Sequence, residues 1–279
     1  MQLVQTIEQL REALIPARKS NTVIGLVPTM GALHSGHEAL IETARKECGV
    51  VVVSIFVNPL QFGPNEDYQR YPRALVKDLG ICRRQGGDIV FNPSVDEMYP
   101  PPQLTFAEVT RVSEDLCGKF RPGHFRGVAT VVLKLFNIVR ANRAYFGEKD
   151  MQQLAVIRRM VADLNVPVEI IGVPTVREAD GLAVSSRNQY LNPAGRKAAP
   201  ILYRALQEAA SRIRSGERDA GKVRQAAVSI LTAEPLIRIE YVEVVDPKEI
   251  QPVSTISGPV RIAAAVWIGG TRLIDNVGN

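Results

Sequence analysis

The chain has 279 residues, 46% of them apolar and 23% charged, and 34 basic against 29 acidic side chains leave a net charge of +5. That length calls for one large or two modest domains, and the balance is ordinary for a soluble enzyme. The basic excess is spread along the chain, which suits small anionic ligands and provides no clustered face for nucleic acid. Cys48, Cys82 and Cys117 are widely spaced and form no CxxC pair, so neither a disulfide framework nor a zinc ribbon is expected. No apolar run approaches about 18 residues, and the first residues lack a basic segment followed by an apolar one, so the expected setting is cytoplasmic, without membrane contact.

Residues 3–19 read as an amphipathic helix ending near Pro16. A buried strand over 22–27 follows, then the turn Pro28-Thr29-Met30-Gly31-Ala32-Leu33-His34-Ser35-Gly36-His37, then a helix over 38–46. The β-branched run 50–57 is a second strand, and the loop Asn58 to Asn65 follows it. A helix over 73–85 and a third strand over 88–91 complete a β-α-β-α-β alternation. Four prolines make 92–102 a loop, and 104–110 is expected as an edge strand. The loop 121–127 leads into a buried helix over 128–140, a strand at 144–147, a helix opening at Glu148 and a strand over 168–173. Beyond Pro174 the texture changes to helices near 193–214 and 219–232 and strands at 237–245 and 259–268. The expected fold is therefore α/β. A Rossmann-like doubly wound parallel sheet domain, 1–175, precedes a smaller α+β C-terminal lid domain, 176–279.

The turn from Pro28 to His37 joins a strand to a helix, where backbone N–H groups and the helix dipole favour anions. His34 and His37 are three apart and can face one bound group. They either donate to nucleotide phosphates or cap the helix; a zinc site would need a third ligand from His124 or Glu38. Asn58 and Gln61 stand at another strand end, where neutral amides hold a polar substrate or close a turn. Lys149, Asp150 and Gln153 open a helix, where they contact phosphate, hydroxyls or magnesium, or simply start the helix in solvent. Ser185-Ser186-Arg187 is a loop able to close over a triphosphate, with an ordinary capped loop as the alternative. Arg121 and His124 are further anion candidates, and Tyr71 and Arg73 are more often packing residues. No G-x-G-x-x-G follows a strand, and neither a P-loop nor a G-x-S-x-G elbow is present. These residues point to an enzyme that uses a nucleoside triphosphate on a small anion.

Five stretches, taken together, carry a specific resemblance. Pro28-Thr29-Met30-Gly31-Ala32-Leu33-His34-x-Gly36-His37 resembles the HIGH-type signature of nucleotidyltransferases, in the form found in the pantothenate synthetase (pantoate–β-alanine ligase) family. Residues 54–62, 121–128, 146–153 and 185–188 are similar to the same family and follow its order. The resemblance implies that ATP and pantoate form pantoyl adenylate, which β-alanine converts to pantothenate and AMP. It implies that His34, His37 and Lys149 are catalytic. ATP would be bound by Met30, His34, His37, Gly147, Lys149, Asp150, Val176, Val184, Ser185, Ser186 and Arg187. Pantoate would be held by Met30, Asn58, Gln61, Phe62 and Gln153, with Tyr71, Arg121 and His124 as further candidates. It also implies Mg2+ and a homodimer. Two positions depart from the family pattern: Val184 stands where Met is common, and Lys77 where an acidic residue is frequent.

Overall fold

The β-branched runs of the first half form one parallel sheet. Its strands are β1 (Gln2–Val4), β2 (Ile24–Thr29), β3 (Val50–Ile55), β4 (Ile89–Phe91), β5 (Arg143–Gly147) and β6 (Glu169–Val173), in the order β1-β4-β3-β2-β5-β6. Every neighbouring pair is parallel. β2 and β3 are buried almost end to end, as strands covered on both faces must be. The helices are α1 (Ile7–Ala13), α2 (Ile15–Lys19), α3 (Ser35–Glu47), α4 (Leu75–Arg84), α5 (Val95–Met98), α6 (Cys117–Phe120), α7 (His124–Val139) and α8 (Met151–Asp163). The second half adds α9 (Pro193–Ala198), α10 (Ile201–Arg214), α11 (Ala220–Thr232) and the strands β7 (Ile237–Val245), β8 (Arg261–Ile268) and β9 (Thr271–Gly278).

The computed structural model describes residues 1–64 and 66–279. The loop expected over 58–65 includes Asn65, which lies outside the described residues. Packing divides the chain into two units. The first comprises Met1–Thr110, Arg121–Glu148 and Val156–Pro174; the second comprises Arg111–Phe120, Lys149–Ala155 and Thr175–Asn279.

In the first unit, the chain leaves β2 in one direction through β3 to β4 and in the other through β5 to β6. The strand order therefore reverses between β2 and β5, whose register pairs Gly25 with Arg143 and Leu26 with Ala144. Such a reversal opens a crevice at the carboxyl ends of the strands. The turn after β2, the Asn58 segment after β3 and Gly147 at the end of β5 all stand on that edge. The core beneath it includes Val27, Leu33, Ile41, Val51, Val53 and Ile81.

In the second unit, β7, β8 and β9 form an antiparallel sheet. α10 and α11 lay Leu202, Leu206, Ile213, Val223 and Leu231 into the same core as Val242, Ile262 and Val266. Each fully buried Leu of this kind contributes about 1.5–3 kcal/mol against exposure.

Several elements differ from the sequence expectation. Residues 3–19 are a short strand and two short helices. Thr6 caps α1 in a box with Gln9, and Pro16 occupies the first turn of α2, where its missing N–H costs nothing. The stretch 104–110 is not a strand; the Ala107 N–H donates to Thr130 Oγ1 on α7 at 3.0 Å. The loop 92–102 contains α5, capped by the Ser94 side chain. α7 starts at His124 because Gly123 turns the chain with φ +79°. The helix expected over 193–214 is two helices with Pro200 between them. β9 was not anticipated.

Candidate active site

The turn after β2 is held from inside. Gly31 and Ala32 both take left-handed φ, +81° and +51°. That brings the Ala32 and Leu33 N–H groups onto the Asp78 carboxylate of α4, at 2.9 and 2.8 Å. Consecutive N–H groups in such a turn form an anion-binding concavity, and here the protein's own carboxylate fills it. Asp78 is 1% exposed; burial pushes its carboxyl above the usual range, and the two N–H bonds draw it back. Thr29 Oγ1 adds a bond to the Ser54 carbonyl at 2.7 Å and accepts from the Gly31 N–H.

His34 is the N-cap of α3. Its Nδ1 accepts from the Gly36 N–H at 3.2 Å, and His37 Nδ1 accepts from the His34 N–H at 3.3 Å. An Nδ1 that accepts leaves the neutral ring's proton on Nε2. Cap and phosphate donor are therefore compatible roles: capping uses Nδ1, and Nε2–H is the donor at the start of the helix. The two rings lie 4.1 Å apart, centroid to centroid.

Beyond β3, Asn58 caps the 3-10 turn Pro59–Gln61. Asn58 is 1% exposed and its amide is saturated. Oδ1 accepts from the Leu60 N–H and the Tyr99 hydroxyl, at 3.3 and 2.8 Å. Nδ2 donates to the Gly127 carbonyl and to Gln61 Oε1, at 3.1 and 3.0 Å. The Leu60 N–H and the Gly127 carbonyl each allow only one orientation of the Asn58 amide. That orientation in turn fixes Gln61, whose oxygen faces Asn58 and whose Nε2 carries its donors. Burial raises the Tyr99 phenol, which stays a donor.

Arg121 and His124 grip the same residue from behind. The Gln61 carbonyl lies 3.2 Å from Arg121 Nη2 and 2.8 Å from His124 Nδ1. Arg121 also pairs with both oxygens of Glu66, at 2.8 and 2.5 Å. Burial works against the Glu66 charge, but these bonds outweigh it and hold its carboxyl below the usual range. Gly127 lets this turn sit directly on α7, since a Cβ there would lie 2.2 Å from the Leu60 carbonyl oxygen. Met30 and Phe62 are half-buried, and Phe62 packs against Tyr68 and the buried Tyr71. At Gly147 a Cβ would meet no protein atom within 4 Å.

The second unit holds the other expected residues. Lys149 lies in the 3-10 turn Glu148–Asp150, its side chain 19% exposed and its ammonium 3.8 Å from Asp150. Gln152 is buried and fully used: it accepts from the Cys117 N–H and donates to the Val112 and Asp115 carbonyls. Its neighbour Gln153 is half-buried on the next position of α8. The segment 176–184 folds back on itself, with the Val184 N–H on the Val176 carbonyl at 3.0 Å. It delivers Ser185 as the cap of the 3-10 turn Ser186–Tyr190, which carries Arg187.

Among the described residues no three His, Cys, Asp or Glu side chains are grouped to hold a metal. A hard cation that keeps its waters and rides on phosphate needs only one or two carboxylates, and Asp150 offers one. No helix is long and apolar enough to cross a membrane, among the described residues. Sequence reasoning missed Asp78 and Tyr99. Each bonds to a candidate segment more than forty residues away, and no local pattern marks such a partner.

The sequence profile of the pantoate-beta-alanine ligase family matches residues 2–278. The pantothenate synthetase of Pelotomaculum thermopropionicum is 55% identical over 276 residues, 99% of this chain and 98% of that one. That of Thermotoga neapolitana is 54% identical over 276 residues, 99% of each. The crystal structure of pantothenate synthetase from Thermus thermophilus superposes with a TM-score of 0.95 at 49% identity, covering 99% of both chains. The pantoate-beta-alanine ligase of Francisella tularensis, complexed with beta-gamma ATP and beta-alanine, has a TM-score of 0.79 at 37% identity, covering 99% of this chain and 97% of that one. With a profile match from end to end and relatives above half identity over their whole length, the chain belongs to the pantoate–β-alanine ligase family.

Proposed function

We propose that the protein joins pantoate to β-alanine in an ATP-dependent reaction that releases AMP and pyrophosphate through a pantoyl adenylate. The observation that carries this reading is the edge of the parallel sheet. His34 and His37 follow β2, the oriented Gln61 amide follows the neighbouring β3, and the open Gly147 ends the neighbouring β5. Family membership supplies the substrates.

In the first step a pantoate carboxylate oxygen attacks the α-phosphorus of ATP, and the bond to the bridging oxygen breaks with departure of pyrophosphate. In the second the β-alanine amine attacks the acyl carbon. AMP leaves with the acyl C–O electron pair, and the amine proton passes to solvent. No protein nucleophile is needed. The chain's task is to align the reactants and to meet charge developing on phosphate oxygens.

His34 and His37 donate Nε2–H to those oxygens, and the Lys149 ammonium bridges the α-phosphate and the incoming carboxylate. Ser185, Ser186 and Arg187 bind the β- and γ-phosphates, Gly147 and Asp150 hold the ribose, the Val176 backbone meets adenine, and Val184 packs near it. Gln61 Nε2 and Gln153 bind pantoate, whose gem-dimethyl group rests on Met30 and Phe62. Asn58, saturated as it is, acts by orienting Gln61, and Arg121 and His124 hold that residue's backbone beside Tyr71. Asp150 is the carboxylate that would help hold a Mg2+ ion bound to the triphosphate, and such an ion would supply neutralisation of phosphate charge there. On this reading residues 1–175 bind ATP and pantoate, and 176–279 form a smaller C-terminal domain with nucleotide contacts. The enzyme works as a homodimer in the cytoplasm, where its three unbridged cysteines suit a reducing medium.

Incubation with ATP, pantoate and β-alanine is expected to yield AMP and pantothenate in equal amounts. Release of ADP would overturn the adenylate route. A product that retains the nucleotide would identify a nucleotidyltransferase, and no turnover at all a nucleotide-binding module.

A further inference from the structure

Lys149 sits in a three-residue 3-10 turn, too short to hold its own geometry. Its backbone is pinned from the other end of the chain. Asn276, on β9 and 3% exposed, donates from Nδ2 to the Lys149 carbonyl at 3.0 Å. The Asn276 Oδ1 accepts from Arg261 at 3.3 Å, and its N–H donates to Asp275 Oδ1 at 2.8 Å. Asp275 is itself buried, and both its oxygens are taken by Arg177, at 2.6 and 2.9 Å. The Arg177 guanidinium lies 3.7 Å over the Tyr203 ring and bonds the Gly181 carbonyl. Arg177 also pairs in a β-bridge with Ala183, inside the segment that runs from Val176 to Val184. One buried network, wholly within the second unit, thus ties the Lys149 peptide to the segment from which the Ser185-Ser186-Arg187 turn emerges.

We propose that Asn276 is a positioning residue for Lys149, kept in register with the 176–184 segment by the Asp275–Arg177 pair. This rests on Lys149 acting at the α-phosphate as described above. A lysine stem is long and flexible, so the placement of its backbone bears directly on where its ammonium reaches. Pinning the carbonyl fixes the plane of the Lys149–Asp150 peptide and with it the direction in which the stem leaves. A shift of about 1 Å in such an anchor can cost on the order of 100-fold in rate.

The test is a double-mutant cycle on pantoate-dependent ATP–pyrophosphate exchange, using Asn276→Ala, Lys149→Ala and both together in the full-length enzyme. Asn276→Ala is expected to lower kcat ~10-fold or more and to leave the KM for pantoate within about twofold, and it should cost nothing further once Lys149 is Ala. An equal fold-loss in both backgrounds, or normal exchange by a folded Asn276→Ala, overturns the proposal. Near-normal exchange by Lys149→Ala alone removes the role assigned to Lys149, and the proposal with it. Asn276→Asp keeps the shape and the acceptor for Arg261, and sets a carboxylate oxygen, with its negative charge, where the NH2 donor to the Lys149 carbonyl stood. It is expected to show the same loss with a cooperative melt, so a global folding defect in the Ala variant does not shelter the proposal.

Discussion

Gly127→Ala separates local propensity from packing by the sign of its effect. Gly127 lies inside α7, where exchange for Ala would by propensity alone stabilise a helix by about 0.5–1 kcal/mol. The structure predicts the opposite. The added Cβ would lie 2.2 Å from the Leu60 carbonyl oxygen, 2.4 Å from its carbon and 2.6 Å from the Gln61 nitrogen, against an ordinary contact of 3.4 Å or more. All three are backbone atoms, so no side chain can swing away. Either α7 or the Pro59–Gln61 turn must retreat by roughly 1 Å, an overpacking cost of ~1–3 kcal/mol. The Gly127 carbonyl is also the acceptor that orients Asn58, so the retreat disturbs Gln61 twice. Melting should therefore show a destabilised protein, and kcat/KM for pantoate should fall on the order of 100-fold, with the KM for ATP much less affected. A raised Tm together with an unchanged KM for pantoate would refute the close packing of α7 on this turn.

Three further outcomes follow from the same geometry. Lys149→Ala should lower turnover at least ~100-fold, the scale of losing one contact to developing charge, while the melt changes little; near-normal turnover would take Lys149 out of the mechanism. Asp78→Asn sets an NH2 group against one of the Ala32 and Leu33 N–H donors. It should cost ~1–3 kcal/mol of stability and depress exchange, because His34 follows directly on that turn; a variant as stable and active as the parent would contradict the clamp. Glu66 has a folded pKa below its ordinary 4.5, so its pairing with Arg121 stabilises the fold above that value, and the contribution disappears as pH falls through the lowered one. Glu66→Gln should accordingly melt below the parent at pH 7, by an amount equivalent to ~1–2 kcal/mol, and the gap should narrow once pH falls below the ordinary 4.5 and close as pH passes the lowered folded value; a gap independent of pH would show that the charge is not its source.

The parallel sheet was legible because β-branched runs alternate with helix-forming stretches, and β2 to β6 fall within a few residues of those runs. β1 was hidden by its three-residue length, directly before the capping box of α1. β9 carries Arg272, Asp275 and Asn276 and so lacks a β-like texture. Its one signal was the pair Gly269–Gly270, which joins it to β8 as a two-residue hairpin. The start of α7 was missed because Gly123 caps it by conformation, without a side chain that announces a helix. At the candidate site, the residues read as ligand contacts sit in short motifs beside glycine or proline, and those motifs were readable. The residues that hold them in place were not. Asp78, Tyr99 and Asn276 reach their partners across 45, 41 and 127 residues, and a pairing created by tertiary packing leaves no local trace. Asn58 shows the limit from the other side. Its motif reads as a substrate contact, while its four hydrogen bonds within the protein, one of them to Gln61, are invisible in the sequence.

Labelled pyrophosphate exchange into ATP reads one step alone, the activation of the acid on phosphorus before the amine takes part. Label is expected to enter ATP when pantoate is present, in the complete absence of β-alanine, and omitting pantoate is expected to abolish it. Exchange without pantoate, or exchange that appears only when β-alanine is added, would contradict it.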